Sequence, residues 1–238
     1  MTRICKDIRS GKKLFLGKKV AISGSTGGIG RELCFYLAAM GASLILLDRN
    51  ASRSRALGEE LHVRYPDTVI DYLTADLEDI DAVRAAADAL IAADIDYLLL
   101  NAGAYSIPRH KCSTGYDNVF TINFVSPYYL SRRLLPTVTK NGGRIVAVGS
   151  IAHTYSHIDA EDIDFSTRKK ASLVYGNAKR YLTYSLFALA DEGGVAVAHP
   201  GITFTGITAH YPKLIFAIIK YPMKTIFMRP KKAALCIL

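Results

Sequence analysis

The sequence has few cysteines and no long apolar run, and each absence excludes a class of protein. The cysteines lie far apart and form no metal-type pair; they are Cys5, Cys34, Cys112 and Cys236. We therefore expect free thiols in a reducing, cytoplasmic compartment and no metal site. No apolar stretch approaches the roughly 18 residues of a membrane-spanning helix. The N-terminus also lacks the apolar core of a signal peptide. The composition, 50% hydrophobic and 21% charged, is typical of a globular chain.

Acidic residues are scarce at both ends of the chain, where the net charge of +9 is concentrated. Residues 1–19 carry +6, residues 212–238 carry +6 without a single acid, and the body between them carries about −3. Two interpretations stay open: ordinary solvated charge, or attraction to an acidic ligand or an anionic membrane through the basic, apolar segment 212–232. Nucleic acid is not expected as a partner, because no recognised nucleic-acid-binding motif is present.

Short apolar strands alternate with helical stretches along one predicted domain. The predicted strands are 20–23, 43–47, 69–73, 97–100, 144–148 and 195–198, and the predicted helices are 31–40, 52–65, 81–93, 116–138 and 173–190. This order predicts an α/β, three-layer, doubly wound Rossmann fold with a mostly parallel sheet. Such folds bind ligands at the carboxyl ends of their strands. Residues 1–17 are interpreted as a basic N-terminal extension.

A glycine-rich turn, SGSTGGIG at residues 23–30, separates the first strand from the first helix. Gly24 permits a tight turn, Gly28 lets the backbone approach a pyrophosphate, and Gly30 allows close packing of helix on strand. The free N–H groups of the helix N-terminus then favour a diphosphate. A plain turn between strand and helix is the alternative, and four glycines within seven residues argue against it.

Asp48 ends the second strand, 18 residues after Gly30, which is close to the spacing of the carboxylate that holds an adenosine ribose. A carboxylate there favours NAD, because it would repel a 2′-phosphate. Arg49 follows directly and could instead pair with that phosphate, which would favour NADP. The cofactor is therefore NAD or NADP, with NAD slightly favoured.

Tyr175 and Lys179 stand four residues apart and share one face of a predicted helix. A cation lowers the pKa of a neighbouring phenol, whose free value is about 10. A tyrosine tuned in this way can pass a proton to or from a substrate oxygen. The same pair arises by chance in many helices, but its position downstream of the glycine turn favours hydride transfer with acid–base help.

Further motifs follow in chain order: Asp76-Leu77, Asn101-Ala102-Gly103, Asn123, Ser150 and Pro200-Gly201. With them, the chain from about residue 18 to 205 resembles a classical short-chain dehydrogenase/reductase. Ser23 replaces the usual Thr and Leu100 the usual Asn of the family's motifs. Ser150 and Tyr175 are 25 residues apart, a separation that resembles the one in the retinol-dehydrogenase-like branch of the family.

The resemblance implies an oxidoreductase that transfers a hydride between NAD(P) and an alcohol or carbonyl group of a hydrophobic small molecule. Tyr175 would exchange the proton, and Lys179 would lower its pKa and hold the nicotinamide ribose. Ser150 would polarise the substrate oxygen, and Asn123 would support a water molecule. The implied cofactor contacts are Gly24, Ser25, Thr26, Gly28, Ile29, Gly30, Asp48, Arg49, Asp76, Leu77, Asn101, Ala102, Gly103, Tyr175, Lys179, Pro200, Gly201 and Ile202.

The resemblance also implies a substrate lid at 206–228 and a homodimer formed through the helices at 116–138 and 173–190. Members of the family continue to a seventh strand, whereas this chain stops in the apolar stretch 233–238, so the last strand is expected to be missing or differently completed. Two alternatives stay open for that reason: a non-catalytic NAD(P)-binding sensor, and a scaffold at the membrane periphery.

Overall fold

Short apolar segments form a parallel sheet at the centre of the protein. The computed structural model describes residues 6–8, 10–201 and 228–238. The strands of that part are β1 (Lys19–Ser23), β2 (Ser43–Asp48), β3 (Ile70–Thr74), β4 (Tyr97–Leu100), β5 (Arg144–Val148) and β6 (Val195–Ala198). They all pair in parallel, in the order β3-β2-β1-β4-β5-β6. Because β1 pairs with both β2 and β4, the strand order reverses at β1, and a crevice is expected at the carboxyl ends of β1 and β4.

Helices connect these strands and cover both faces of the sheet. They are α1 (Gly28–Ala39), α2 (Ala51–Arg64), α3 (Ile80–Ala92), α4 (Ser126–Lys140), α5 (Ala171–Ala190) and α6 (Pro230–Ala234). Local sequence explains several of their ends. The Asn50 side chain accepts from Arg53 N at the start of α2, and Asp79 accepts from Asp81 N at the start of α3. Gly41, which follows α1, has a φ of +87°, a conformation that favours glycine.

The alternation of side chains along β1 builds two separate cores, one on each face of the sheet. Ala21 faces a core that contains Leu90 of α3 and Leu134 of α4. Ile22 faces the opposite way, into a core that contains Leu33 of α1. Successive residues of a strand point to opposite faces, so a strand buried on both sides must be apolar throughout. The predicted α/β, three-layer, doubly wound arrangement is confirmed.

The N-terminal segment before β1 packs against the body of the protein. The Phe15 ring meets the Tyr97 ring edge to face, with centroids 5.3 Å apart, and Phe15 N donates to Met40 O. Leu14 and Leu16 on either side of Phe15 remain exposed. Cys34 is a free thiol on the buried face of α1, and burial raises its pKa.

Several predictions fall outside the described residues. These are the cofactor contact Ile202, the lid at 206–228 except its last residue, and the membrane segment 212–232 except residues 228–232. Among the described residues the sheet has no seventh strand. No helix in the described part combines the length and the apolar character needed to cross a bilayer.

Candidate active site

A cleft of about 340 Å³ opens at the carboxyl ends of β1 and β4, at the expected reversal of strand order. The predicted residues that line it are Gly24, Thr26, Gly28, Ile29, Asp48, Arg49, Asp76, Leu77, Asn101, Ala102, Gly103, Tyr175 and Lys179. The glycine turn and the Tyr–Lys pair are more than 120 residues apart in sequence, yet they share this one cleft. The cleft therefore contains both the glycine turn and a titratable tyrosine.

The other described residues of the predicted site are not among those that line the cleft: Ser25, Gly30, Asn123, Ser150, Pro200 and Gly201. Ser25 and Asn123 are fully buried. Gly201 has a φ of +78°, and a Cβ there would lie 3.0 Å from Met228 Cε. The Ser150 side chain acts to lower the pKa of Tyr175.

The glycine turn is held by close backbone contacts that exclude side chains. Gly24 has a φ of +67°, and a Cβ there would lie 2.9 Å from Ala102 Cα. A Cβ at Gly30 would lie 2.1 Å from Gly24 O. Asn101 fastens the end of β4 to this turn, because its Nδ2 donates to Gly24 O (2.9 Å) and its backbone N–H donates to Ser23 Oγ (3.1 Å).

Asp48 is buried, and four donors of the protein occupy its carboxylate. Oδ1 accepts from Thr26 N (3.3 Å) and Thr26 Oγ1 (3.1 Å). Oδ2 accepts from Ser54 Oγ (2.8 Å) and from Ser25 Oγ. An ionised carboxylate has about four acceptor positions, so the glycine turn and α2 fill them all. In this arrangement Asp48 ties the turn to the end of β2.

Two arginines stand at the mouth of the cleft beside Asp48. Arg49 and Arg53 both line the opening and both are exposed. Within the described part of the chain, neither guanidinium is paired with a carboxylate. Sequence reasoning named Arg49 and missed Arg53, although the spacing of four residues at the start of a predicted helix would have placed them near each other.

Tyr175 and Lys179 lie on the first half of α5 and are brought together as predicted. The Lys179 ammonium lies 5.8 Å from the centroid of the Tyr175 ring and donates to Val148 O (2.9 Å). Burial lowers the pKa of Lys179 to about 8, because the charged form is poorly solvated there. Lys179 is buried and Tyr175 is half-buried, and the two form a titratable pair that lines the cleft.

The pKa of Tyr175 differs from the expectation. We expected Lys179 to lower it, but burial raises the pKa of Tyr175 to about 12, and the hydrogen bond with Ser150 acts weakly in the opposite direction. Burial has the larger effect because it removes the solvation of the phenolate. In the protein by itself, Tyr175 is therefore protonated at neutral pH.

Asn123 is fixed by an unusual turn of helix. The helix begins at Asn118–Phe120, widens to a π-helical turn at Thr121–Val125 and continues as α4. Asn123 Nδ2 donates to Val119 O (2.8 Å), the carbonyl that an α-helical N–H would otherwise use, and also to Ala104 O (2.8 Å). Such turns are often found at functional sites. A Cβ on Gly103 would lie 2.9 Å from Asn123 Oδ1 and 3.7 Å from Lys179 Nζ, so these three residues meet at one point.

One group of side chains has ligand types that metals use. Ligand atoms of Glu78, His110 and Cys112 lie within 4.8 Å of one another. However, Asn118 Nδ2 donates to Pro108 O (3.0 Å) and also faces His110 Nδ1 (3.2 Å). His110 Nδ1 therefore acts as the acceptor, and Nε2 carries the proton that meets Glu78 Oε2 at 2.8 Å. Since Nε2 is protonated, this group does not present a free histidine ligand, and the absence of a metal site stays a prediction.

A sequence profile described as short chain dehydrogenase matches residues 18–161, which is more than half of the chain. The chain belongs to the short chain dehydrogenase family. Tyr175 and Lys179 lie beyond the matched residues, so their assignment rests on the geometry described above. Members of this family bind a nucleotide cofactor and a small-molecule substrate.

Relatives of this short chain dehydrogenase come from distant organisms. The chain is 27% identical to retinol dehydrogenase 13 of Homo sapiens over 203 residues, with 82% of this chain and 61% of that protein covered. It is 30% identical to the chloroplastic short-chain dehydrogenase TIC 32 A of Brassica napus over 210 residues, with 79% and 65% covered. The chain therefore spans less than two thirds of the length of these two relatives.

Solved structures resemble the fold closely. A short-chain dehydrogenase from Sphingobium yanoikuyae in complex with NADPH superposes with a TM-score of 0.70 at 22% identity, covering 91% of this chain and 81% of that one. A likeness at this level of identity establishes the fold. The residues that perform chemistry must be argued from this chain's own site.

Proposed function

We propose that this protein transfers a hydride between NAD(P) and an alcohol or carbonyl group of a hydrophobic small molecule, with Tyr175 as the general acid and base. The observation that carries this proposal is that Tyr175 and Lys179 line the same cleft as the glycine turn, with Ser150 near enough to act on the pKa of Tyr175. Gly24, Gly28 and Gly103 line the cleft without side chains, which suits a flat, phosphate-bearing cofactor. A bound nicotinamide would supply or accept the hydride.

Three side chains of the protein would then supply the proton, orient the substrate oxygen and stabilise the phenolate. Tyr175 holds its proton at neutral pH because its pKa is about 12, so it can donate that proton to a carbonyl oxygen during reduction. Ser150 would orient the same oxygen through its hydroxyl group. Lys179 would place a cation beside the phenolate that forms, which favours the proton transfer.

The apolar character of the substrate is supported by the segment that follows Ser150. Ile151, Tyr155, Ile158 and Ile163 are all large apolar or aromatic side chains that remain exposed on this segment. The Tyr105 ring also meets the Tyr175 ring edge to face, with centroids 5.3 Å apart. A pocket with apolar walls and a few polar groups binds hydrophobic ligands.

The preferred cofactor is proposed to be NADP(H) rather than NAD(H). The expectation for NAD rested on a carboxylate that stands at the position of the ribose and would repel a 2′-phosphate. In the structure, all four acceptor positions of the Asp48 carboxylate are used within the protein. Arg49 and Arg53 meanwhile offer exposed guanidinium groups at the same end of the cleft. Guanidinium groups bind phosphate through paired hydrogen bonds.

Calorimetric titration with NADPH and NADH tests this preference. We expect the wild-type protein to bind NADPH about tenfold more tightly or better. Arg49→Ala should weaken NADPH binding by about 10- to 100-fold, the value of a lost charged hydrogen bond, and leave NADH binding nearly unchanged. Arg55→Ala is the matched control, since Arg55 lies on α2 over the Tyr72 ring and does not line the cleft. Tight NADH binding with weak NADPH binding would contradict this proposal and would mean that Asp48 determines the preference, in favour of NAD.

A turnover assay with a panel of apolar alcohols, aldehydes and ketones tests the reaction itself. We expect cofactor oxidation or reduction to depend on the added substrate and to be faster with apolar substrates than with small polar ones. Cofactor binding without hydride exchange across the whole panel would instead favour the non-catalytic sensor.

A further inference from the structure

Helix α5 carries two neighbouring pairs of residues with the same spacing of four. Tyr175 and Lys179 face the cleft. Gly176 and Arg180, each one residue further along, face the turn at Ile151–Thr154. Residues four apart on a helix lie above one another, so the second pair forms a row beside the first. Ser150 immediately precedes this turn, which places the second row directly behind the reacting groups.

Gly176 lets the turn lie against the backbone of the helix. It is buried, and a Cβ there would lie 2.6 Å from Ala152 O and 2.9 Å from Ser156 Cβ. Both distances are shorter than real Cβ contacts allow. Any side chain at this position would therefore push the segment 150–156 away from α5.

Arg180 fastens the same segment from the next turn of the helix. Its Nη1 donates to His153 O (3.2 Å) and also to Ser156 O. The guanidinium lies 5.3 Å from the centroid of the Tyr184 ring, which covers its other side. Among the described residues no carboxylate pairs with Arg180, so its hydrogen bonds go to backbone carbonyls of this segment. Hydrogen bonds from a charged donor are stronger than neutral ones.

The fastened segment determines where Ser150 lies. Ser150 Oγ accepts from Ala152 N (3.2 Å), and Ser150 O contacts His153 Nδ1 (2.6 Å). The Ser150 side chain also lies near enough to Tyr175 to act on the pKa of its hydroxyl group. At the far end, Ser156 Oγ donates to Leu173 O (2.9 Å). A displacement of the turn would therefore move Ser150 relative to Tyr175.

We propose that Arg180, together with Gly176, is a positioning residue that holds the 150–156 segment on α5 and so sets the distance between Ser150 and Tyr175. This inference rests on the proposed function, because Ser150 and Tyr175 are taken to act on the substrate oxygen. Arg180 itself acts through the segment and does not touch the reacting atoms.

A double-mutant cycle tests the proposal. Arg180→Met should lower kcat by about 10- to 100-fold, the cost of a small misplacement of a reacting group, while the Kd of the cofactor changes by less than about twofold. In a Ser150→Ala background the same change should cost much less, because there is no longer a hydroxyl to position. Arg180→Lys should recover part of the activity. Arg132→Met, which breaks an exposed ion pair with Glu192, is the control and should leave kcat unchanged.

Hydrogen exchange supplies a readout that does not need a substrate. In Arg180→Met, amides of residues 151–157 should exchange faster while those in the second half of α5 keep their protection. Should Arg180→Met fold poorly, Arg180→Lys and Gly176→Ala are to be measured in the same way. Equal losses of kcat in the wild-type and Ser150→Ala backgrounds, or unchanged exchange at 151–157, would overturn the proposal. Faster exchange at 151–157 in a protein that turns over no substrate would support the fastening and count against the proposed function alone.

Discussion

Tyr175→Phe is expected to lower kcat by about 10²- to 10⁴-fold, the range that general acid–base catalysis contributes. The substitution removes one oxygen and keeps the ring, so the edge-to-face contact with Tyr105 is retained. The Kd of the cofactor should change by less than about twofold, because the hydroxyl group acts on the substrate. Turnover and calorimetry on the same preparation measure the two quantities separately.

A matched control distinguishes loss of the proton donor from a general effect of removing a phenol. Tyr184 lies on the same helix with its side chain exposed, and Tyr184→Phe should keep wild-type kcat. Turnover that survives in Tyr175→Phe would rule out the proposed mechanism, whatever the cofactor affinity. A variant that loses cofactor binding along with turnover would show that Tyr175 is needed for the shape of the cleft.

The fold and most of the cleft could be read from the sequence because they depend on local patterns. An apolar strand such as β4 must be buried on both faces, and the glycine at position 30 is required by its contact with Gly24 O, only a few residues earlier. The alternation of strands and helices then fixes which strand ends meet. Those features need no knowledge of side-chain positions in three dimensions.

Other features depend on contacts between distant segments. The carboxylate of Asp48 was expected to hold a ribose, but whether its oxygen atoms are available depends on Ser54 of α2 and on the folded glycine turn. The raised pKa of Tyr175 depends on how completely the surrounding segments enclose its hydroxyl group. The role of Arg180 follows from carbonyls more than 20 residues earlier in the chain. Sequence patterns do not predict contacts of this kind, because the contacts form only when the distant segments pack together.

Lys179→Met is expected to stabilise the cofactor-free protein at neutral pH while abolishing turnover. Burial holds the pKa of Lys179 at about 8 in the folded state, below the 10.5 of the free side chain. At pH 7 the ammonium is charged in both states and is poorly solvated only in the folded one. The difference of the two pKa values corresponds to about 3 kcal/mol against folding, and the lost hydrogen bond to Val148 O reduces the net gain to about 2 kcal/mol.

The dependence on pH identifies the cause of this gain. Between pH 8 and 10.5 the unfolded chain binds more protons at Lys179 than the folded protein does, so the destabilising contribution of Lys179 shrinks as the pH rises through that window. Urea unfolding at pH 7 and pH 10 should therefore show an advantage for Lys179→Met that decreases by about 2 kcal/mol at the higher pH. Lys169→Met, at an exposed position, should change stability little at either pH. A Lys179→Met protein that is less stable at pH 7, or whose advantage does not shrink by pH 10, would mean that the ammonium is well solvated in the folded state. The cost of burying the Lys179 ammonium that we infer would then be absent.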